Sequence, residues 1–215
     1  MVSIVARAGD VSASVKPNRP SWRDMNGNYK GEETASSDFY PLISRRLVKL
    51  VEENPGDWAN TCAVRMSYAL NRSGIRLPKA YSAGGTVVGE DGFNYWIRVK
   101  DLKQYLRDRF KGGDFEHVPK PIKALTQDAV DERVQDAYDG MINKISGKKG
   151  IIVFDVTGWR DASGHFTLWD GNSLVYVGPG DHNNPRSLEY YFWLYREVSG
   201  RPPAQTVKTT FWELK

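Results

Sequence analysis

The spacing of hydrophobic positions changes character partway along the chain. Up to about residue 146 they recur every three to four residues, and from residue 150 they alternate or form short unbroken runs. In residues 40–53, Ile43, Leu47, Leu50 and Val51 share a helical face, and Asn54-Pro55-Gly56 ends it. A second helix starts at Thr61 or Cys62, where Ala63, Met66 and Leu70 repeat at helical spacing and Gly74 is the stop. Tyr95-Trp96-Ile97-Arg98-Val99 reads as a short strand, and Asp101 caps a helix with Leu102, Tyr105, Leu106 and Phe110 on its buried side. Residues 126–146 form a further helix through Val130, Val134, Ala137, Met141 and Ile145.

Residues 150–156 (GIIVFDV) read as a central buried strand, and His165-Phe166-Thr167-Leu168-Trp169 as a second one. Asp170-Gly171 is a hairpin signal, with residues 173–177 returning. Residues 188–198 fit helix or strand, and Phe211-Trp212-Glu213-Leu214 is a closing strand. Helices followed by an antiparallel sheet make the class α+β. Residues 1–17 are polar without a period and read as a flexible N-terminal tail, leaving 18–215 as a single domain.

Composition narrows the function without choosing it. The 215 residues carry a net charge of +4, with Lys and Arg scattered, so a nucleic-acid stripe is not indicated. The densest basic cluster, from Arg98 to Lys111, is interrupted by Asp101 and Asp108 and reads as a solvated helix face. No segment is long and apolar enough for membrane insertion, and the N-terminus lacks a secretory signal. A single cysteine excludes an intrachain disulfide and suits synthesis in a reducing cytoplasm. There is no CxxC or HxxxH spacing, phosphate loop, dinucleotide fingerprint or GxSxG elbow, so neither a metal nor a cofactor is expected.

Two residues then stand out. Cys62 lies at a helix start, where unpaired N–H groups and the partial positive charge of the helix end favour a thiolate. A lone cysteine is more often a small buried hydrophobe, so position alone does not make it a nucleophile. Of three histidines, His165 is the one on an expected rigid strand, where a base can be aimed. The many Trp and Tyr residues also leave open a non-catalytic module with a carbohydrate-binding platform.

The segments around this pair resemble a known family. Asn60-Thr61-Cys62-Ala63-Val64-Arg65-Met66-Ser67-Tyr68 is similar to the nucleophile helix of the fourth family of type VI secretion amidase effectors. Tyr95 to Leu102, Gly147 to Phe154 and Gly164-His165-Phe166-Thr167-Leu168-Trp169-Asp170-Gly171 resemble its later motifs, in order. Arg19-Pro20-Ser21-Trp22 and Phe211-Trp212-Glu213-Leu214 resemble its opening and ending. The resemblance implies a papain-like fold of the NlpC type and a cysteine hydrolase that cuts the γ-D-glutamyl–meso-diaminopimelate bond of peptidoglycan stems. It implies an antibacterial toxin made in the cytoplasm, delivered by the type VI apparatus to act in the target's periplasm, and neutralised by a cognate immunity protein.

Residue by residue, Cys62 carries over as nucleophile and His165 as base, with Asn60 and Arg65 as oxyanion or substrate candidates. The family places an Asp shortly after the histidine strand, where this chain has Tyr176 and Val177. Asp181 is the expected third member and Asp170 the alternative. Arg98 and Arg160, like Arg65, are chemically suited to the substrate carboxylates.

Overall fold

The computed structural model describes residues 4–8, 11–15, 18–56, 58, 60–160 and 162–215. Its strands and helices run, in order, β1 (Ile4–Ala8), β2 (Val11–Val15), α1 (Trp22–Asn28), α2 (Ser36–Phe39), a 3-10 turn (Tyr40–Leu42), α3 (Arg45–Glu53) and α4 (Cys62–Arg72). Next come β3 (Thr86–Val88), β4 (Asn94–Trp96), α5 (Val99–Phe110), β5 (Phe115–His117) and α6 (Gln127–Ala137), which runs through a π-turn (Tyr138–Ile142) into α7 (Asn143–Ile145). The chain closes with β6 (Gly150–Thr157), β7 (Gly164–Trp169), β8 (Tyr195–Val198) and β9 (Arg201–Glu213).

The main sheet is antiparallel in the order β5-β9-β6-β7, with β8 pairing with β9. Strand β6 has a neighbour on each side and is buried on both faces, which is why it reads as an unbroken apolar run. Its side chains alternate between two cores. Ile151 and Val153 join α4 and α5 through Met66, Leu70, Leu102 and Leu106. Ile152, Phe154 and Val156 face Ala137, Met141 and Ile145 and an aromatic run that includes Tyr191 and Phe192.

Helix α4 sits between layers, and its residues from Cys62 to Asn71 are all buried. Cys62, Ala63, Met66, Ala69 and Leu70 meet the sheet-side core, while Val64 and Tyr68 meet Phe39, Tyr40, Ile43 and Leu47 of the N-terminal helices. Helices α1 and α3 begin on side-chain caps that satisfy otherwise unpaired N–H groups. Ser21 accepts from Asp24 for α1, and Ser44 accepts from Arg46 and Leu47 for α3. The nucleophile candidate is thus fixed on a helix packed on both sides.

The expected α+β layout is found, with differences that have physical causes. Of the expected tail, residues 4–8 and 11–15 pair as two antiparallel strands; the others lie outside the described residues. The expected strand 95–99 stops at Trp96, and Arg98 rather than Asp101 is the N-cap of α5. The helix over 126–146 is interrupted by the π-turn where Gly140 passes His117; a Cβ there would lie 2.1 Å from His117 Nδ1.

The returning strand 173–177 is reduced to one bridge, Trp169 to Leu174. Side chains take several of the bonds a ladder would use. Asn183 pairs with both the N–H and the carbonyl of Leu174, Thr167 Oγ1 accepts the Tyr176 N–H, and Glu32 accepts the N–H groups of Val177 and Gly178. Residues 188–194 are turns leading into β8.

Candidate active site

A cleft of about 270 Å³ opens between the start of α4, the start of β7 and the segment that follows it. Its lining includes Asn60, Thr61, Cys62, His165, Tyr176 and His182. Trp159 and Arg196 also border it. Two of the expected residues, Cys62 and His165, which lie 103 positions apart in the chain, are therefore brought to one cavity.

Cys62 is the first residue of α4 and is 4% exposed. Burial pushes its thiol above the ordinary value, and it outweighs the N–H groups of Phe166, Ala63 and Cys62 itself and the charge of Arg65, all of which act downward. The contact with Phe166 sets the sulfur beside the residue that follows His165. The helix start does not produce the lowered thiol expected from sequence, because desolvation of a buried thiolate is the larger effect here.

His165 enters β7 directly after Gly164, where a Cβ would lie 2.1 Å from the carbonyl oxygen of Phe154 across the ladder. Only glycine allows that approach. The His165 ring is stacked on Tyr191 at 4.6 Å, and Tyr191 is stacked in turn on His182, also at 4.6 Å. His165 Nε2 lies 2.8 Å from the main-chain oxygen of Tyr176. Burial lowers the His165 pKa to about 4; the Tyr176 carbonyl opposes this and the nearby His182 adds to it. Both members of the pair are thereby held neutral at neutral pH.

Among the described residues, no hydrogen bond links His165 to Asp181 or Asp170, the two expected third members. Asp181 is exposed, and its own carbonyl accepts from the N–H of Asn184. Asp170 caps its own turn: Oδ1 accepts from the N–H groups of Asn172 and Ser173, and Oδ2 from Ser173 Oγ. Burial acts to raise its pKa, but these bonds together hold it below the usual value. A turn aspartate in that role needs no catalytic reason.

Arg65 is also not available to a substrate. It is 1% exposed, and its guanidinium donates to Thr61 Oγ1 (2.8 Å) and to the carbonyls of Lys30 (2.8 Å), Gly31 (3.1 Å) and Thr34 (2.8 Å). It lies over the rings of Phe39 and Tyr176 at 4.7 and 4.4 Å. Asn60, in contrast, is exposed at the cleft beside Cys62. Arg98 caps α5 and Arg160 is exposed next to Trp159; neither borders the cleft.

Residues missed from sequence are Tyr176, Tyr191, His182, Trp159, Arg196 and Glu32. A count of the hairpin would have found Tyr176: Trp169 pairs with Leu174, Val175 donates to the Leu168 carbonyl, and Tyr176 falls opposite Thr167. The seven tryptophans form no exposed platform. Trp96, Trp169, Trp193 and Trp212 are buried, and Trp22, Trp58 and Trp159 are half-buried. Among the described residues no three His, Cys, Asp or Glu side chains gather as metal ligands would.

Residues 58–212 match the family model described as Tae4, type VI secretion system amidase effector protein 4. The chain is similar to the crystal structure of the type VI effector Tae4 from Enterobacter cloacae, at 27% identity and a TM-score of 0.61, covering 92% of this chain and 98% of that one. It is similar to the Tae4 effector–immunity complex from Salmonella Typhimurium (25% identity, TM-score 0.62, 92% and 99% covered). The corresponding Tae4–Tai4 complex from Enterobacter cloacae gives 26% identity and a TM-score of 0.61, with 92% and 99% covered. No curated protein sequence matches.

Proposed function

The chain belongs to the Tae4 family of type VI secretion amidase effectors, and from that premise we propose that it is a cysteine amidase of papain-like, NlpC-type fold. Its substrate in this reading is the γ-D-glutamyl–meso-diaminopimelate bond of peptidoglycan stem peptides, reached in the periplasm of a rival bacterium. The observation that supports it most directly is the convergence of Cys62, on a doubly packed helix, and His165, on the adjoining strand, at one open cleft.

The chemistry is acyl transfer. As Cys62 Sγ attacks the γ-glutamyl carbonyl, His165 takes the thiol proton and a C–S bond forms. The tetrahedral oxyanion is met by the Cys62 N–H at the open end of α4 and by the Asn60 side chain. The C–N bond then breaks as His165 hands its proton to the leaving amine. Water, deprotonated by His165, attacks the thioester, and the C–S bond breaks to restore the thiol. With a raised thiol and a lowered imidazole, the resting state is a neutral pair rather than an ion pair, so proton transfer accompanies attack.

The Tae4 structures from Enterobacter cloacae and Salmonella Typhimurium include complexes with the immunity protein Tai4. This chain accordingly has a cognate immunity partner in the producing cell. The test of the activity is digestion of purified peptidoglycan followed by mass analysis. Wild type releases stems ending at D-glutamate, and Cys62→Ala releases none. Continued cutting by the folded Cys62→Ala protein rejects the assignment.

A further inference from the structure

We propose that the main-chain carbonyl of Tyr176 orients His165 in place of a carboxylate, and that the Tyr176 side chain registers this carbonyl against the nucleophile's helix. The proposal deepens the amidase reading and rests on it for the reaction, though not for the geometry. A carbonyl oxygen only accepts, so at 2.8 Å from Nε2 it requires the proton there. In the neutral ring Nδ1 is then the nitrogen with the lone pair, the one free to take the thiol proton. An aspartate would fix the same tautomer and add a negative charge to stabilise the imidazolium. Here the tautomer is fixed without that charge.

The carbonyl is held by a set of contacts that a simple loop position would not need. Tyr176 OH lies 2.7 Å from Thr61 Oγ1, on the residue just before Cys62. The same Thr61 oxygen accepts from Arg65, whose guanidinium lies over the Tyr176 ring. On the other side, Glu32 Oε1 accepts the N–H of Val177 at 2.6 Å and that of Gly178 at 3.1 Å, and Tyr191 OH donates to the Val177 carbonyl at 3.1 Å. Base, nucleophile and the segment between them are thus tied through one tyrosine. These bonds do for the segment what a cross-link would do, in a chain whose single cysteine cannot form one. The His165 ring stacks on Tyr176 and Tyr191, with His182 stacked beyond Tyr191, and it shares the cleft lining with Cys62 of α4; neither Asp181 nor Asp170 is among these groups.

The test combines nitrogen NMR of the full-length protein, labelled at histidine, with kinetics on a soluble peptidoglycan fragment. Long-range nitrogen–proton spectra at neutral pH should show His165 protonated at Nε2, and the same in Asp181→Asn and Asp170→Asn. Those two variants should keep near-wild-type kcat and an unmoved acid limb of the pH profile. Tyr176→Phe, which removes only the bond to Thr61, should lower kcat about 3- to 10-fold with little change in KM, the scale of one buried hydrogen bond. An Nδ1-protonated ring overturns the proposal, as does a loss of about 100-fold in kcat with a shifted acid limb in Asp181→Asn. Should wild type release no fragment while all three proteins show the Nε2 proton, the amidase reading fails and the assignment of Tyr176 stands.

Discussion

The neutrality of His165 in the folded protein can be measured without a substrate. Its imidazole titrates at about 4 in place of the ordinary 6.5, chiefly because it is buried. Above about pH 6.5 folded and unfolded chains both hold it neutral, and its contribution to stability is fully present. Between there and about pH 4 only the unfolded chain takes up the proton, so stability falls as pH falls. At about 1.4 kcal/mol for each pH unit separating the two values, the loss amounts to about 3 kcal/mol once pH reaches the folded pKa.

The perturbation is His165→Gln, which keeps a polar side chain and removes the titration. Urea unfolding of wild type and variant at several pH values between 8 and 4.5 gives the two slopes. Wild type should lose about 2 to 3 kcal/mol more than the variant over that range. Comparing slopes cancels the carboxylates, which titrate in both proteins, and any constant cost of the substitution. Equal slopes would show that His165 is not held neutral by burial. A wild type that loses less than the variant would mean that the folded state favours imidazolium, as a thiolate–imidazolium pair requires, and the neutral-pair mechanism would be wrong.

The same electrostatics predict that iodoacetamide labels Cys62 slowly at neutral pH, with a rate that climbs through the alkaline range; a rate already saturated near pH 7, followed by mass spectrometry, would indicate a lowered thiol. Arg65→Met should destabilise the protein by about 3 kcal/mol or more, because the carbonyls of Lys30, Gly31 and Thr34 lose charged donors in a buried setting; a shift in urea midpoint below a third of that would show the carbonyls rehydrate. Arg196 borders the cleft, half-exposed and paired with Glu189 at 3.6 Å, and under the proposed function it meets a carboxylate of the stem peptide. Arg196→Gln should raise KM several-fold with kcat little changed, and an unchanged KM would remove it from substrate binding.

Period and punctuation made much of this architecture legible, and failures occurred where side chains replaced backbone pairing. The runs of α4, β6 and β7 declared themselves because β7 is buried along its whole length and α4 and β6 along nearly all of theirs. Cys62 and His165 were legible as a pair only through the motifs around them, since each has an ordinary structural reading alone. The group that His165 Nε2 meets, the main-chain oxygen of Tyr176, was not legible, because a main-chain carbonyl carries no residue type. Arg65 looked like a substrate ligand because a charged residue is rarely buried without a counter-charge. The pairing of β1 with β2 was not legible because residues 1–17 are polar and show no clear period.

Arg65 and Arg133 solve the same problem and explain why the site tolerates a neutral third group. Arg133 is 1% exposed and donates to the carbonyls of Lys120, Trp193, Leu194 and Thr206, joining β9 to the aromatic run whose Tyr191 stacks on His165. Burial lowers its pKa to about 10, with Asp136 acting the other way, so it stays charged. Each arginine thus fastens irregular segments to the frame through carbonyl oxygens rather than through a buried carboxylate, whose desolvation costs several kcal/mol. The segments they fasten stand behind the cleft lining: Glu32, within residues 30–34, holds the N–H groups of Val177 and Gly178, and residues 193–194 follow Tyr191 in the chain. Where both walls are fixed in this way, a carbonyl at 2.8 Å can aim the imidazole by position alone, and the charge of an aspartate is not required to hold it.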